Sequence, residues 1–182
     1  MNITVFGSSK PRPGEHDYEQ AYLLGRQIAE GGHTVLTGGY IGTMEAVSRG
    51  AAEAGGHVIG VTCEEIENWR SVGANPWVKE ERRFPSLLER LGELVRGCDA
   101  AIALPGGPGT LVEISLYWNH LIIAALPPRP LILVGTGWNQ VFKLFIQTMG
   151  NYLGSSDHNW LHFVETPSQA LLLVNTSISK LH

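Results

Sequence analysis

Cysteine is scarce. Cys63 and Cys98 are the only two in 182 residues, too few for a disulfide framework and without metal-finger spacing. Both are expected as buried thiols. Charge is sparse as well: charged residues make up 16% of the chain, and 17 acids against 13 Lys plus Arg give a net charge of −4. Without a basic excess there is no electrostatic footprint for a nucleic-acid partner. No segment approaches the roughly 18 uninterrupted apolar residues of a membrane span. The stretch Met1 to Phe6 lacks a basic region followed by a secretory apolar run, so the expected setting is cytoplasmic, with no membrane partner. The histidines (His16, His33, His57, His120, His158, His162, His182) form no His-Glu-x-x-His and no Cys/His cluster, and neither a metal nor another cofactor is expected. Also missing are a Gly-x-Ser-x-Gly elbow, a Gly-Lys-Ser/Thr P-loop and, after the first strand, the Gly-x-Gly-x-x-Gly dinucleotide fingerprint. Their absence argues against a serine hydrolase of that type and against P-loop NTP hydrolysis.

What the chain does have is 43% hydrophobic residues, with 22 Gly and 10 Pro spread between apolar runs. This suits one hydrophobic core, and a single domain over residues 1–182 is expected. Dominant disorder is excluded. Short Ile/Val-rich runs alternate with helix-period segments throughout, the signature of an α/β protein with a three-layer, doubly wound, Rossmann-like parallel sheet. Strands are expected at 3–6, 33–37, 57–61, 100–104, 130–134 and, weakly, 161–164. Helices are expected at 17–30, 43–54, 86–96, 109–125, 138–149 and 168–175. One long irregular stretch, 63–85, reads as a lid or binding loop, or equally as a surface excursion with a short edge strand near Trp77 to Lys79.

Six strands in the order 3-2-1-4-5-6 put the ends of strands 1 and 4 side by side at the ligand crevice. Gly7-Ser8-Ser9 then adjoins Pro105-Gly106-Gly107-Pro108-Gly109-Thr110, which opens into a helix whose free N–H groups and dipole favour an anion. A third glycine-containing turn, Gly38-Gly39-Tyr40-Ile41-Gly42-Thr43-Met44, lies on the same sheet edge. Three such turns suggest a nucleotide more than one tight turn each.

Thr110-x-x-Glu113 has the form of a capping box. At about 100° per residue, however, Thr110, Glu113, Tyr117 and His120 make one polar stripe on an otherwise apolar helix. A carboxylate at the mouth of a phosphate site is a candidate catalytic group, and both roles stay open. The preceding helix has its own capping box, Ser86-x-x-Glu89, and an apolar face of Leu87, Leu88, Leu91, Leu94 and Val95. Arg90 flanks that face, where its plainest role is a surface ion pair with Glu89 or Glu93.

The run Ala101-Ile-Ala-Leu-Pro-Gly-Gly-Pro-Gly-Thr-Leu-Val-Glu113 resembles the Pro-Gly-Gly-x-Gly-Thr-x-x-Glu motif of the LOG family. Characterised members of that family are cytokinin riboside 5'-monophosphate phosphoribohydrolases. The likeness extends over about residues 3–150: Phe6-Gly-Ser-Ser9 is similar to the family's first phosphate loop. Gly38-Gly39-x-x-Gly42-Thr43-Met44, with Ala46 to Ala51 and Gly55 to Val61, resembles its next units. The family's functional Arg stands 15 positions before the loop Pro, which is Arg90 here (105 − 90 = 15).

The resemblance implies a homodimer, with the Arg90 and Gly109 helices near the interface. It also implies an N-glycosidase that hydrolyses a purine nucleoside 5'-monophosphate (AMP or N6-substituted AMP), using Glu113 and Arg90. Gly7, Ser8, Gly38, Gly39, Gly42, Thr43, Met44, Pro105, Gly106, Gly107, Gly109 and Thr110 would hold the nucleotide. Three departures set this chain apart. Leu87-Leu-Glu-Arg-Leu91 replaces the family's Met-His-x-Arg-Lys segment, Thr37 replaces the first of three glycines, and Glu45 replaces a glycine after Met44. In these respects it resembles bacterial relatives of unassigned substrate, some grouped with molybdenum-cofactor carriers. The alternative is therefore a non-catalytic nucleotide or molybdenum-cofactor carrier.

Overall fold

A computed structural model describes residues 1–178, so His182 and the end of the 1–182 span lie outside the described residues. The strands are β1 (Asn2–Phe6), β2 (Thr34–Thr37), β3 (Val58–Cys63), β4 (Glu80–Phe84), β5 (Ala100–Ala103), β6 (Leu131–Val134) and β7 (Leu161–Val164). They form one seven-stranded sheet in the order β4-β3-β2-β1-β5-β6-β7, parallel at every pairing. Around it lie α1 (His16–Glu30), α2 (Thr43–Glu53), α3 (Glu64–Trp69), α4 (Leu87–Arg96), α5 (Pro108–Ile122), α6 (Thr136–Met149) and α7 (Pro167–Ile178).

Interior strands such as Val58–Cys63 and Leu131–Val134 are buried at every residue, because helices cover both faces of the sheet and each face needs apolar cover. Successive side chains point to opposite faces. Ile3, Val5, Val35, Ile102 and Ile132 thus pack with α1, α2 and α7, while Phe6, Leu36, Val61, Ala103 and Leu133 pack with α4, α5 and α6. The result is the expected three-layer, doubly wound, Rossmann-like architecture. Among the described residues no helix is long and apolar enough to cross a membrane.

The six expected strands occur in their expected order, but a seventh lies outside them. β4 (Glu-Glu-Arg-Arg-Phe) pairs with β3 from Ile59↔Glu80 to Cys63↔Phe84. Four charged residues hid it from any hydropathy reading. As an edge strand it needs no apolar faces, only ladder hydrogen bonds and neutralised charges. Arg82 meets Glu80 at 2.7 Å and Glu93 at 2.6 Å, and Thr62 Oγ1 donates to Glu81 at 2.6 Å. The segment 63–85 is therefore not an irregular loop: it holds the end of β3, α3 and β4, and the edge strand begins at Glu80, after Trp77 to Lys79.

The Ser86 capping box is made, with Ser86 Oγ accepting from Glu89 N and Glu89 Oε2 accepting from Ser86 N. The buried face of α4 is rotated from the expected one. Leu88 is 75% exposed and Leu87 is exposed too, while Arg90 is 4% exposed and packs inward with Leu91, Leu94 and Val95.

Candidate active site

The loops after β1, β2 and β5 meet at the C-terminal edge of the sheet. Gly42 takes φ +74°, conformational space that favours glycine. This lets Thr43 donate both its N–H and its hydroxyl to Ser8 O, at 2.9 and 3.0 Å. The first two loops are thereby tied together. In the third loop α5 starts at Pro108, with Gly107 as N-cap and no side-chain cap. Proline at the first position is well placed, since its missing N–H would have had no helical partner. The free N–H groups of Gly109 and Thr110 make that end suited to an anion.

This start overturns the capping-box reading of Thr110-x-x-Glu113. Thr110 is already inside the helix, its side chain packed against Gly106. Glu113 comes three residues later and is 8% exposed. The stripe seen in the sequence faces inward at Thr110, Glu113 and Tyr117, whereas Leu111 and Val112 are exposed.

Opposite Glu113 stands Arg90. Its Nε donates to Val61 O at 2.7 Å and its Nη2 to Gly38 O at 3.1 Å, so a carbonyl of β3 and one just past β2 hold the guanidinium. Nη1 then lies 3.8 Å from Glu113 Oε1. The surface pairing with Glu89 or Glu93 does not form: Glu89 caps α4 and Glu93 binds Arg82. Burial raises the Glu113 carboxyl to about 7, against the opposing pull of Arg90. It is thus a group that exchanges its proton near neutrality. Beneath Arg90 lies Tyr40, its ring centroid 5.4 Å from the guanidinium carbon. The Tyr40 hydroxyl accepts from Cys63 N at 2.8 Å and donates to Cys63 O at 3.1 Å, and burial pushes it up to about 12.

These groups line a cleft of about 360 Å³. Of the residues singled out in the sequence, Gly7, Ser8, Met44, Arg90, Gly107, Gly109, Thr110 and Glu113 line it. Gly38, Gly39, Gly42, Thr43, Pro105 and Gly106 do not, and several of them work from behind the wall. A Cβ at Gly38 would run into Arg90 Nη2 and lie 2.6 Å from Met44 Sδ, and one at Gly42 would run into Ser8 O. Thr43 and Pro105 instead border a second cleft, of about 340 Å³, beside α1, β6 and the start of α7.

Sequence reasoning missed Ser9, Lys10, Tyr40, Ile66, Trp69, Arg70, Val72 and Pro108 as lining residues. Ser9, Lys10, Tyr40 and Pro108 adjoin or interrupt motifs already singled out and could have been found by adjacency. Those in α3 and beyond it lie in the 63–85 stretch, whose length alone had marked it as a lid or binding loop. The departures at Thr37 and Glu45 stay off the cleft: Thr37 Oγ1 donates to Val5 O, and Glu45 accepts from the Tyr18 hydroxyl. Among the described residues no group of three or more His, Cys, Asp or Glu is placed to hold a metal ion.

Comparison with known proteins adds relatives to this geometry. A rice (Oryza sativa subsp. japonica) protein named cytokinin riboside 5'-monophosphate phosphoribohydrolase LOG is 41% identical over 124 residues, covering 66% of this chain and 50% of its own length. An Arabidopsis thaliana phosphoribohydrolase of the same name class is 35% identical over 128 residues, covering 69% of this chain and 59% of its own. The chain thus spans about half the length of the curated relatives it matches. Among solved structures, the molybdenum cofactor binding protein of Rippkaea orientalis superposes with TM-score 0.76 at 27% identity, covering 97% of this chain and 96% of its own. The molybdenum cofactor carrier protein of Chlamydomonas reinhardtii gives TM-score 0.76 at 26% identity, covering 98% of each chain. With residues 1–126, which include the three loops, Arg90 and Glu113, matching the family model, the chain belongs to the SLOG cluster4 family, a LOG-like family.

Proposed function

We propose that the protein is an N-glycosidase that hydrolyses a purine nucleoside 5'-monophosphate, AMP or an N6-substituted AMP, to free base and ribose 5-phosphate. The observation that carries this reading is the buried Arg90–Glu113 pair in a cleft bordered by the bare N-terminus of α5. The 5'-phosphate binds the turn of Gly107, Gly109 and Thr110, with Ser8 beside it, and fixes the sugar. Breaking the C1'–N bond builds positive charge on the ribose ring, as in glycoside hydrolysis. Ionised Glu113 stabilises that cation through the ribose hydroxyls or orients the attacking water. Water supplies the hydroxyl that ends on C1' and the proton that leaves with the base. Arg90, held by two carbonyls, fixes Glu113 and faces the leaving base. The names of the relatives support this activity.

Both roles of Glu113 need the carboxylate, so turnover rises as pH increases through about 7, where this group titrates. Glu113→Gln abolishes release of base and ribose 5-phosphate, measured by chromatography, and leaves nucleotide affinity nearly intact. Loss of binding along with turnover would remove Glu113 from the chemistry.

A second reading is a carrier that holds a phosphate-bearing nucleotide or cofactor without cutting it. It is favoured by the near-complete overlap with two molybdenum-cofactor proteins. Saturable AMP binding without base release would select it. In either case a homodimer is proposed, burying exposed Leu87 and Leu88 of α4 with Leu111 and Val112 of α5. A cytoplasmic setting is proposed too, in keeping with the buried free thiols of Cys63 and Cys98.

A further inference from the structure

α3 has no fully buried side chain: Ile66 is half-buried and Trp69 is exposed. Its acidic flank is tied down: Glu65 Oε2 accepts from Leu87 N at 2.8 Å, and Glu67 Oε2 meets Arg83 Nη2 at 2.6 Å. Its apolar residues, Ile66 and Trp69, are three apart and so share one helix face. Both line the cleft, as do Arg70 and Val72 just beyond.

Trp69 is 76% exposed, and the guanidinium carbon of Arg70 sits 4.7 Å from its ring centroid. The segment is pinned at both ends to one turn, that of Gly39 and Tyr40. The Tyr40 hydroxyl bonds the backbone of Cys63 just before α3. The Asn75 side chain donates to Gly39 O at 3.0 Å and to Tyr40 O at 2.9 Å, and its N–H donates to Gly39 O at 2.8 Å. An aromatic ring is therefore presented to the cleft from a segment with fixed ends.

The two sides of the cleft differ in chemistry. Gly107, Gly109, Thr110 and Ser8 offer backbone and hydroxyl groups suited to a phosphate, while Ile66, Trp69 and Val72 offer apolar and aromatic surface. A ligand that satisfies both has an anionic end and a flat apolar end. We propose that Trp69 is the stacking platform for the heteroaromatic base and, with Ile66 and Val72, forms the subsite that selects which base is accepted. This rests on the nucleotide reading above for the placement of the phosphate. It assigns base selection to α3 and the residues after it, outside the glycine motifs.

The test is equilibrium binding of AMP and of ribose 5-phosphate by calorimetry to protein with Trp69 (the wild type at this position), Trp69→Ala and Trp69→Phe, all three carrying Glu113→Gln so that AMP is bound and not cut. Stacking energies of the usual size predict that Trp69→Ala weakens AMP about 10- to 100-fold. Ribose 5-phosphate should bind unchanged, and Trp69→Phe should stay within a few-fold of wild type for both. An exposed side chain can be truncated without unfolding the domain, and the unaltered ribose 5-phosphate affinity verifies this. AMP affinity within twofold of wild type in Trp69→Ala overturns the base subsite and leaves the phosphate site standing. Equal weakening of both ligands overturns it as well. A wild type that binds neither ligand overturns the nucleotide reading itself, and the base subsite with it.

Discussion

Glu113 and Arg90 show how little of a residue's role is visible one side chain at a time. A carboxylate three positions after a threonine looks like a helix cap, and an arginine flanking an apolar stripe looks like a surface partner for the nearest glutamate. Each becomes a site residue because the other lies across the cleft, 3.8 Å away. The energetic mark of that placement is pH dependence. The folded carboxyl titrates near 7, above its ordinary 4.5. The stabilisation carried by its proton is therefore complete below about 4.5 and lost as pH rises through about 7. Glu113→Gln has no such loss. The stability of the variant relative to wild type, followed by urea denaturation from pH 5 to pH 8, should increase with pH by up to about 3 kcal/mol. A flat difference would show that burial does not hold Glu113 protonated.

At the scale of elements, the glycine turns were legible as motifs, and at Gly38 and Gly42 the structure shows why a larger residue does not fit. Gly42 takes φ +74° and leaves its Cα close to Ser8 and Ser9. Gly42→Ala adds backbone strain of about 1 to 2 kcal/mol and drives a methyl into Ser8. Its melting temperature should fall by about 5 to 10 °C, read by circular dichroism. The starts and faces of helices were less legible. α5 begins two residues before Thr110, at Pro108, because Gly107 ends the turn. α4 buries Arg90, whose guanidinium bonds Val61 O and Gly38 O, and leaves Leu87 and Leu88 exposed. α3 was not expected, and the edge strand was placed just before β4, for a common reason: an edge strand and a helix with no buried residue need no apolar pattern. Ile66, Trp69 and Arg70 fall in the 63–85 stretch expected as a lid or binding loop, and the structure brings them to the cleft.

Across the whole molecule the two helical layers are unequal. The α1, α2 and α7 layer exposes Leu23 and Leu172, whereas the other exposes Leu87 and Leu88 on α4, Leu111 and Val112 on α5, and Val141, Leu144, Phe145 and Met149 on α6. Apolar surface collected on one side marks an interaction face. The proposed homodimer uses its α4–α5 part, beside the cleft. Sedimentation velocity should give twice the 19.8 kDa chain mass for wild type. Leu88→Asp should shift it towards one chain mass without lowering subunit stability, since Leu88 is already solvent-facing. A wild-type monomer would remove the dimer.

The sequence by itself determined the alternation of strands and helices and the glycine turns that follow the strands, while the sheet order was taken from the common doubly wound pattern and is settled by the structure. The alternation and the turns follow from local rules: side-chain periodicity, glycine conformational freedom and the anion-binding character of a helix start. Only the tertiary structure decided that Glu113 is buried against Arg90 and that two backbone carbonyls, Val61 O and Gly38 O, aim the guanidinium. It also decided that an exposed helix turns Trp69 into the cleft. Burial, distance and the direction of a side chain depend on groups far apart in the chain, brought together when the sheet closes at its C-terminal edge.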